Sequence, residues 1–177
     1  TYEVVKNGRH LNDKEIHAVC QKWNYGRMQA YMLEITRDIV AFKNPEENHL
    51  LLNDIKDEAK AKGTGKWTSQ AAMDLSVPVP VIDVSVAMRD LSKYKALRSK
   101  ASKIYPNSKD AIYPGNTDDY TAQLEQAFYF SMVSAYAQGM HLLYRANVEY
   151  KYELNLESIA KIWRGGCIIR AAFLEDI

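Results

Sequence analysis

The chain has 177 residues, a formal net charge of +1 and 25% charged residues, which suits one globular domain able to bury a proper core. With charge this close to neutral there is no general case for nucleic acid or a membrane surface as a partner. A hydrophobic content of 47% with few Gly and Pro excludes a disordered or fibrous chain. Two cysteines, Cys20 and Cys167, lack metal-type spacing. With no disulfide framework and no signal peptide, they point to a reducing, cytoplasmic setting.

Apolar residues recur at helical spacing almost throughout and no run alternates as a strand, so an all-α fold of about seven or eight helices is expected over a single domain, 1–177. Thr1 stands inside what reads as a helix end. Asn12 followed by Glu15 makes a capping box for a helix through DKEIHAVCQKW. A second helix is expected over 27–43, closed by Pro45, and then a polar irregular segment over 44–62 with a short packing piece, LLNDI. The spacing predicts helices over 66–75, over the stripe Val81, Ile82, Val84, Val86, Ala87 and Leu91, and over 93–104. VPVPV (77–81) separates the first two, and a Pro/Gly/Asn loop follows over 106–117.

The longest helical stretch is 118–149, opened by the first-turn acids Asp118 and Asp119. It carries no Asp, Glu, Lys or Arg from Gln126 to Tyr144. Ser131, Ser134, Gln138 and His141 interrupt it, which argues against a membrane span and for a helix surrounded by other helices. The core is expected to centre on Leu124, Phe128, Val133, Tyr136 and Leu142 or their near neighbours, with His141 as a hydrogen-bonded core residue rather than a ligand. The last segment, NLESIAKIWRGGCIIRAAFLEDI, has an N-cap candidate at Asn155 and continues the helical pattern to the end. Gly165-Gly166 either breaks this pattern or admits close packing.

The chemistry concentrates in AKAKGTGKWTSQ (59–70). It is not a nucleotide P-loop, because Trp67 follows Lys66 where a Ser or Thr must ligand magnesium. It is not a dinucleotide fingerprint either, for want of a third glycine in a strand–helix unit. Two readings remain open. One is a solvated helix start with lysines for solubility, and the other is an anion site at a helix N-terminus. Arg89, embedded in an apolar stripe, either pairs with a carboxylate, reaches solvent, or grips a phosphate with its planar fork. The four histidines, His10, His17, His49 and His141, are scattered, and no nucleophile–base arrangement is legible. No catalytic, cofactor-binding or metal-ligating residue is therefore assigned.

Three blocks taken together are more specific: KGTGKWTSQAAMDLSVPVPVIDVSVAMRDLS (62–92), SAYAQGMHLL (134–143) and IAKIWRGGCIIRAAFLEDI (159–177). In order and spacing they closely resemble the helical C-terminal domain of the decarboxylating 6-phosphogluconate dehydrogenase family, and NYGRMQAYMLEITRDIVAF (24–42) resembles the preceding helix. The likeness covers essentially the whole chain. It implies an oxidoreductase of the pentose phosphate pathway that oxidises 6-phosphogluconate at C3, decarboxylates the keto acid and releases ribulose 5-phosphate. It also implies NADP on an N-terminal Rossmann domain, no metal, and a homodimer. The substrate phosphate is implied to be held by the lysine before G-T-G, the threonine inside it and the arginine of A-x-R-x-L-S, here Lys62, Thr64 and Arg89.

The departures are equally definite. The family's K-M-V-H-N-G-I-E-Y-like block, with its lysine base and glutamate acid, is absent. So are the glycine-rich NADP fingerprint and the C-terminal part that reaches the neighbouring subunit. The expectation is the first half of the helical domain, truncated at both ends and inactive alone. The alternative is a helical interaction module without catalytic activity, against which the joint presence of Lys62, Thr64 and Arg89 argues.

Overall fold

The computed structural model describes residues 2–47, 49–105 and 113–177, and among these described residues there are eight α-helices. They are α1 (Tyr2–Arg9), α2 (Asp13–Asn24), α3 (Tyr31–Ile39), α4 (Thr64–Asp74), α5 (Pro80–Ser92), α6 (Lys95–Ile104), α7 (Thr117–Tyr150) and α8 (Leu156–Arg164). Short 3-10 turns occupy Leu51–Asp54 and Ala172–Glu175. Among the described residues the only extended pairings are two isolated bridges, Ala30 with Ala171 and Lys43 with Leu50, so the fold is all-α as expected. Most of the 106–117 loop lies outside the described residues.

The chain divides into two compact units. The first comprises 1–55, 110–129 and 157–177. The capping box expected there is present: the Asn12 side chain accepts from the Glu15 N–H, and the Glu15 carboxylate accepts from the Asn12 N–H. Ile16, Cys20 and Trp23, at three- and four-residue spacing on α2, face inward with Val5, Met28, Leu33, Val40, Phe173 and Leu174 to form the core. Trp23 meets Phe128, and Phe173 meets the edge of Tyr129. Of the two readings open for Gly165-Gly166, the break is the one found, and the tail beyond it is not α-helical as its pattern suggested but ends in the 3-10 turn Ala172–Glu175. Gly165-Gly166 stops the helix, with Gly166 at φ +103°, a conformation that side chains resist. A turn follows, closed by the Arg170 N–H on the Cys167 carbonyl (2.9 Å), and Ala171 then pairs with Ala30: Tyr31 N–H donates to the Arg170 carbonyl (3.0 Å) and Ala172 N–H to the Gln29 carbonyl (2.8 Å).

The second unit comprises 56–109 and 130–156. Its core is Ala72, Val77, Val79 and Leu142, with Leu75 and Ile82 packed against them. The VPVPV break works as read from the sequence: Val77 N–H closes the end of α4 on the Ala72 carbonyl, and Pro80 starts α5 at the position where a missing N–H is harmless. Gln138 of α7 completes the start of α5, its Oε1 accepting from the N–H groups of Val81 (3.0 Å) and Ile82 (3.4 Å).

The buried apolar stripes expected on α5 and α7 are corrected by the structure. No residue of α5 is buried, and Val84 and Met88 are 61% and 58% exposed. On α7, Phe130 is 73% exposed and Val133 is exposed too; Leu142 is buried, whereas Leu124, Phe128 and Tyr136 are half-buried. His141 is exposed and stacks beside Tyr144. The physical reason is that periodicity reports how much apolar surface a helix carries, whereas burial needs a neighbouring element on each side of it. No helix among the described residues is long and apolar enough to cross a membrane.

Candidate anion site

The sequence-predicted residues all fall in the second unit, at the start of α4 and the end of α5. Gly63 precedes α4 at φ +100°, and the indole of Trp67 lies 3.2 Å from where a Gly63 Cβ would stand. Gly63 is therefore both conformationally required and closely packed. Its carbonyl receives the Trp67 N–H at 3.0 Å, but no side chain caps the helix. Among the described residues the first N–H groups of α4 thus keep no side-chain partner, and the positive end of the helix dipole lies beside the exposed Thr64. Thr64 is the first residue of α4 and is exposed. Its carbonyl is taken by the Thr68 hydroxyl (2.8 Å).

At the next residue, a Cβ on Gly65 would stand 3.0 Å from Val86 Cγ2, so α4 and α5 touch here. Arg89, on the last turn of α5, turns its guanidinium back to the segment before α4. Its Nη1 donates to the Lys60 carbonyl at 3.2 Å. This brings the arginine to within two residues of Lys62 in the strap leading into the glycine turn. Lys62 is exposed, and among the described residues its ammonium has no hydrogen-bond or ion-pair partner. Arg89 is exposed and, among the described residues, joined to the strap rather than paired with a carboxylate, which sets aside the first of the alternatives open in the sequence.

Sequence reasoning missed what fixes the strap. Asp57 pairs with Lys95 and with Arg98, whose Nη1 lies 2.9 Å from Asp57 Oδ2. Arg98 Nη2 also donates to the carbonyls of Asp57 (3.0 Å) and Ser92 (2.9 Å). The hydrogen bonds from Lys95 and Arg98 hold the Asp57 carboxyl down at about 2, below its ordinary 3.8. No local signal announces pairs 38 and 41 residues apart.

Other polar groups lie in the first unit. His49 sits between Asp54 (Nε2 to Oδ1, 2.6 Å) and Glu47 (Nδ1 to Oε2, 3.3 Å), and the bond to Asp54 raises its pKa above the ordinary value. These three could present donor atoms to a metal ion, but both ring nitrogens already face carboxylates, the arrangement of a charged histidine. A cleft of about 640 Å³ beside it is lined by Lys14, His17, Lys43 and Leu50 among others.

Chemically, the α4–α5 site offers two cations, a hydroxyl and free helix N–H groups, which suits an oxyanion; it offers no general acid, base or nucleophile. Comparison with known proteins agrees with the fold and its motifs. The family model for the 6-phosphogluconate dehydrogenase C-terminal domain matches residues 1–177. The chain is 41% identical over 178 residues to 6-phosphogluconate dehydrogenase, decarboxylating, of Lactococcus lactis subsp. lactis (strain IL1403), covering 100% of this chain and 37% of that protein. It is 41% identical over 177 residues to the NADP(+)-dependent, decarboxylating 6-phosphogluconate dehydrogenase of Bacillus subtilis (strain 168), covering 100% and 38%. Plasmodium falciparum 6-phosphogluconate dehydrogenase, solved in its apo form, with its cofactor NADP+ and with its substrate 6-phosphogluconate, has a TM-score of 0.92 at 37% identity, over 99% of this chain and 38% of that chain. The chain thus spans a little over a third of the length of these relatives. By its helical fold, its glycine turn and a match that runs through all 177 residues, the chain belongs to the 6-phosphogluconate dehydrogenase family, within the family's C-terminal domain.

Proposed function

We propose that this chain is part of an NADP-dependent, decarboxylating 6-phosphogluconate dehydrogenase and that Lys62, Thr64 and Arg89 hold the phosphate of 6-phosphogluconate. The observation that carries the reading is the Arg89–Lys60 hydrogen bond. It sets the guanidinium beside the strap that leads through Lys62 to an uncapped helix start. One Nη1 bond leaves the remaining N–H donors of Arg89 for phosphate oxygens in a bidentate grip. Lys62 adds a point charge, Thr64 a hydroxyl, and the first turn of α4 its dipole. These groups bind and orient the sugar acid. The nicotinamide and the acid–base pair that oxidise it at C3, before loss of CO₂ yields ribulose 5-phosphate, belong to parts of the enzyme outside these residues.

A second contribution is a subunit surface. Val84, Met88 and Leu91 on α5, with Phe130, Tyr144 and Val148 on α7, are exposed apolar groups of the kind that mark association sites. They support a homodimer. The test of the phosphate reading is steady-state kinetics of the full-length enzyme carrying Arg89→Ala. Loss of one charge-assisted contact, about 1.5–3 kcal/mol, should raise KM for 6-phosphogluconate roughly ten- to hundredfold and leave KM for NADP nearly unchanged. An unchanged KM for 6-phosphogluconate would overturn the reading and favour a helical module with no part in substrate binding.

A further inference from the structure

Of the three residues named above, Thr64 opens α4 and Arg89 ends α5, whereas Lys62 lies on the strap before the glycine turn, and contacts from outside α4 tie that strap down. Resting on the phosphate reading, we infer that Asp57 and Ser92 are positioning residues for the substrate phosphate. They pin the strap 57–60 to the end of α5, so that Lys62 and Arg89 are presented together.

Three ties run from the strap to one corner of the unit. At the first, Arg98 grips Asp57 twice, through its carboxylate (2.9 Å) and its carbonyl (3.0 Å), and the same guanidinium holds the Ser92 carbonyl at 2.9 Å. Lys95 adds a second cation on the Asp57 carboxylate. The second tie is Ser92 Oγ, which accepts the Ala59 N–H at 2.9 Å and donates to the Arg89 carbonyl at 2.6 Å. The third is Arg89 itself on the Lys60 carbonyl. One hydroxyl therefore links the strap backbone to the backbone of the phosphate-binding arginine, and one carboxylate fixes the strap at its base. A planar guanidinium that bridges a carboxylate and two carbonyls fixes direction as well as distance. Among the described residues Arg98 Nε is buried without a partner, so the arginine is held by its terminal nitrogens. Because the hydrogen bonds from Lys95 and Arg98 hold the Asp57 carboxyl down at about 2, the carboxylate of the clamp stays ionised at neutral pH.

These groups do not touch the phosphate, so their effect should pass through Arg89 and Lys62. The experiment is a double-mutant cycle in the full-length enzyme with Asp57→Asn, Arg89→Ala and the pair, reading KM for 6-phosphogluconate, kcat and KM for NADP. Asp57→Asn keeps the shape and removes the charge. It should raise KM for 6-phosphogluconate about three- to tenfold, with kcat and KM for NADP within about twofold. In the Arg89→Ala background it should add much less, because the group it positions is gone. If Arg89→Ala raises KM and Asp57→Asn does not, or if the two effects multiply independently, the positioning inference fails while the phosphate reading stands. If Arg89→Ala itself changes nothing, the phosphate reading has failed first. Should Asp57→Asn not fold, Ser92→Ala, which removes the second tie and no charge, takes its place in the same cycle with the same expected non-additivity, and additivity there overturns the inference.

Discussion

A methyl group added at Gly8 should destabilise the chain, although the same change in a helix ordinarily stabilises it. Replacing Gly by Ala inside a helix gains up to about 1 kcal/mol from the narrower unfolded ensemble and better helix propensity. At Gly8, however, a Cβ would stand 1.8 Å from the hydroxyl oxygen of Tyr120 and 2.4 Å from its Cζ, so the ring has to move. Tyr120 is buried, its hydroxyl donates to the Val4 carbonyl at 2.7 Å, and its ring lies against Tyr113 at 4.9 Å between centroids. Moving it forfeits a hydrogen bond of about 1 kcal/mol and overpacks the surrounding core by about 1–3 kcal/mol. After the propensity gain is subtracted, Gly8→Ala should cost about 1–3 kcal/mol. Gly139 is the matched control: it lies inside α7, and nothing comes within 4 Å of its added Cβ. Gly139→Ala should therefore gain about 0.5–1 kcal/mol. Urea unfolding followed by circular dichroism measures both. A Gly8→Ala chain as stable as the parent, or a Gly139→Ala chain destabilised by the same amount, would refute the packing argument.

Replacing Gln138 by Leu keeps the volume but leaves the Val81 and Ile82 N–H groups without their acceptor. This should lower stability by about 1–2 kcal/mol in the same unfolding experiment. The pH profile of stability should have two arms. Asp57 has a folded-state pKa depressed from 3.8 to about 2, so its contribution is complete above about pH 4 and is lost as pH falls toward 2. His49 has a raised folded-state pKa because of Asp54. Its contribution is complete below its ordinary 6.5 and is lost as pH rises through the raised value. Thermal unfolding as a function of pH checks these arms: Asp57→Asn should reduce the acid arm and leave the alkaline one, whereas His49→Gln should flatten the alkaline arm and also remove the share of the acid arm that comes from Asp54, whose carboxyl the same hydrogen bond depresses.

What was legible in the sequence was whatever is settled locally. Asn12 and Glu15 cap α2 because a three-residue spacing brings them together, and Pro80 opens α5 because its fixed φ suits a first turn. The glycine turn at 63–65 announced the start of α4 for the same reason. The segment after Arg164 was misread because CIIRAAFLEDI has helical composition, whereas its conformation is set by pairing with residues 29–31, more than 130 positions away. The second helix, expected over 27–43, is confined to Tyr31–Ile39, since Ala30 is drawn into that bridge. The stripes on α5 and α7 gave the right helices and the wrong burial, for periodicity carries no information about what lies opposite. The candidate site divides in the same way. Lys62, Thr64 and Arg89 stood out by residue type and resemblance, but the Asp57–Arg98 clamp is a contact between distant charged residues that look individually like solvated surface.

The most direct measurement is a crystal structure of the full-length enzyme with 6-phosphogluconate bound. The account predicts phosphate oxygens within hydrogen-bond distance of Lys62 Nζ, Thr64 Oγ1 and two nitrogens of Arg89, with Arg89 Nη1 still on the Lys60 carbonyl. A phosphate bound elsewhere, with these three side chains left in solvent, would contradict it.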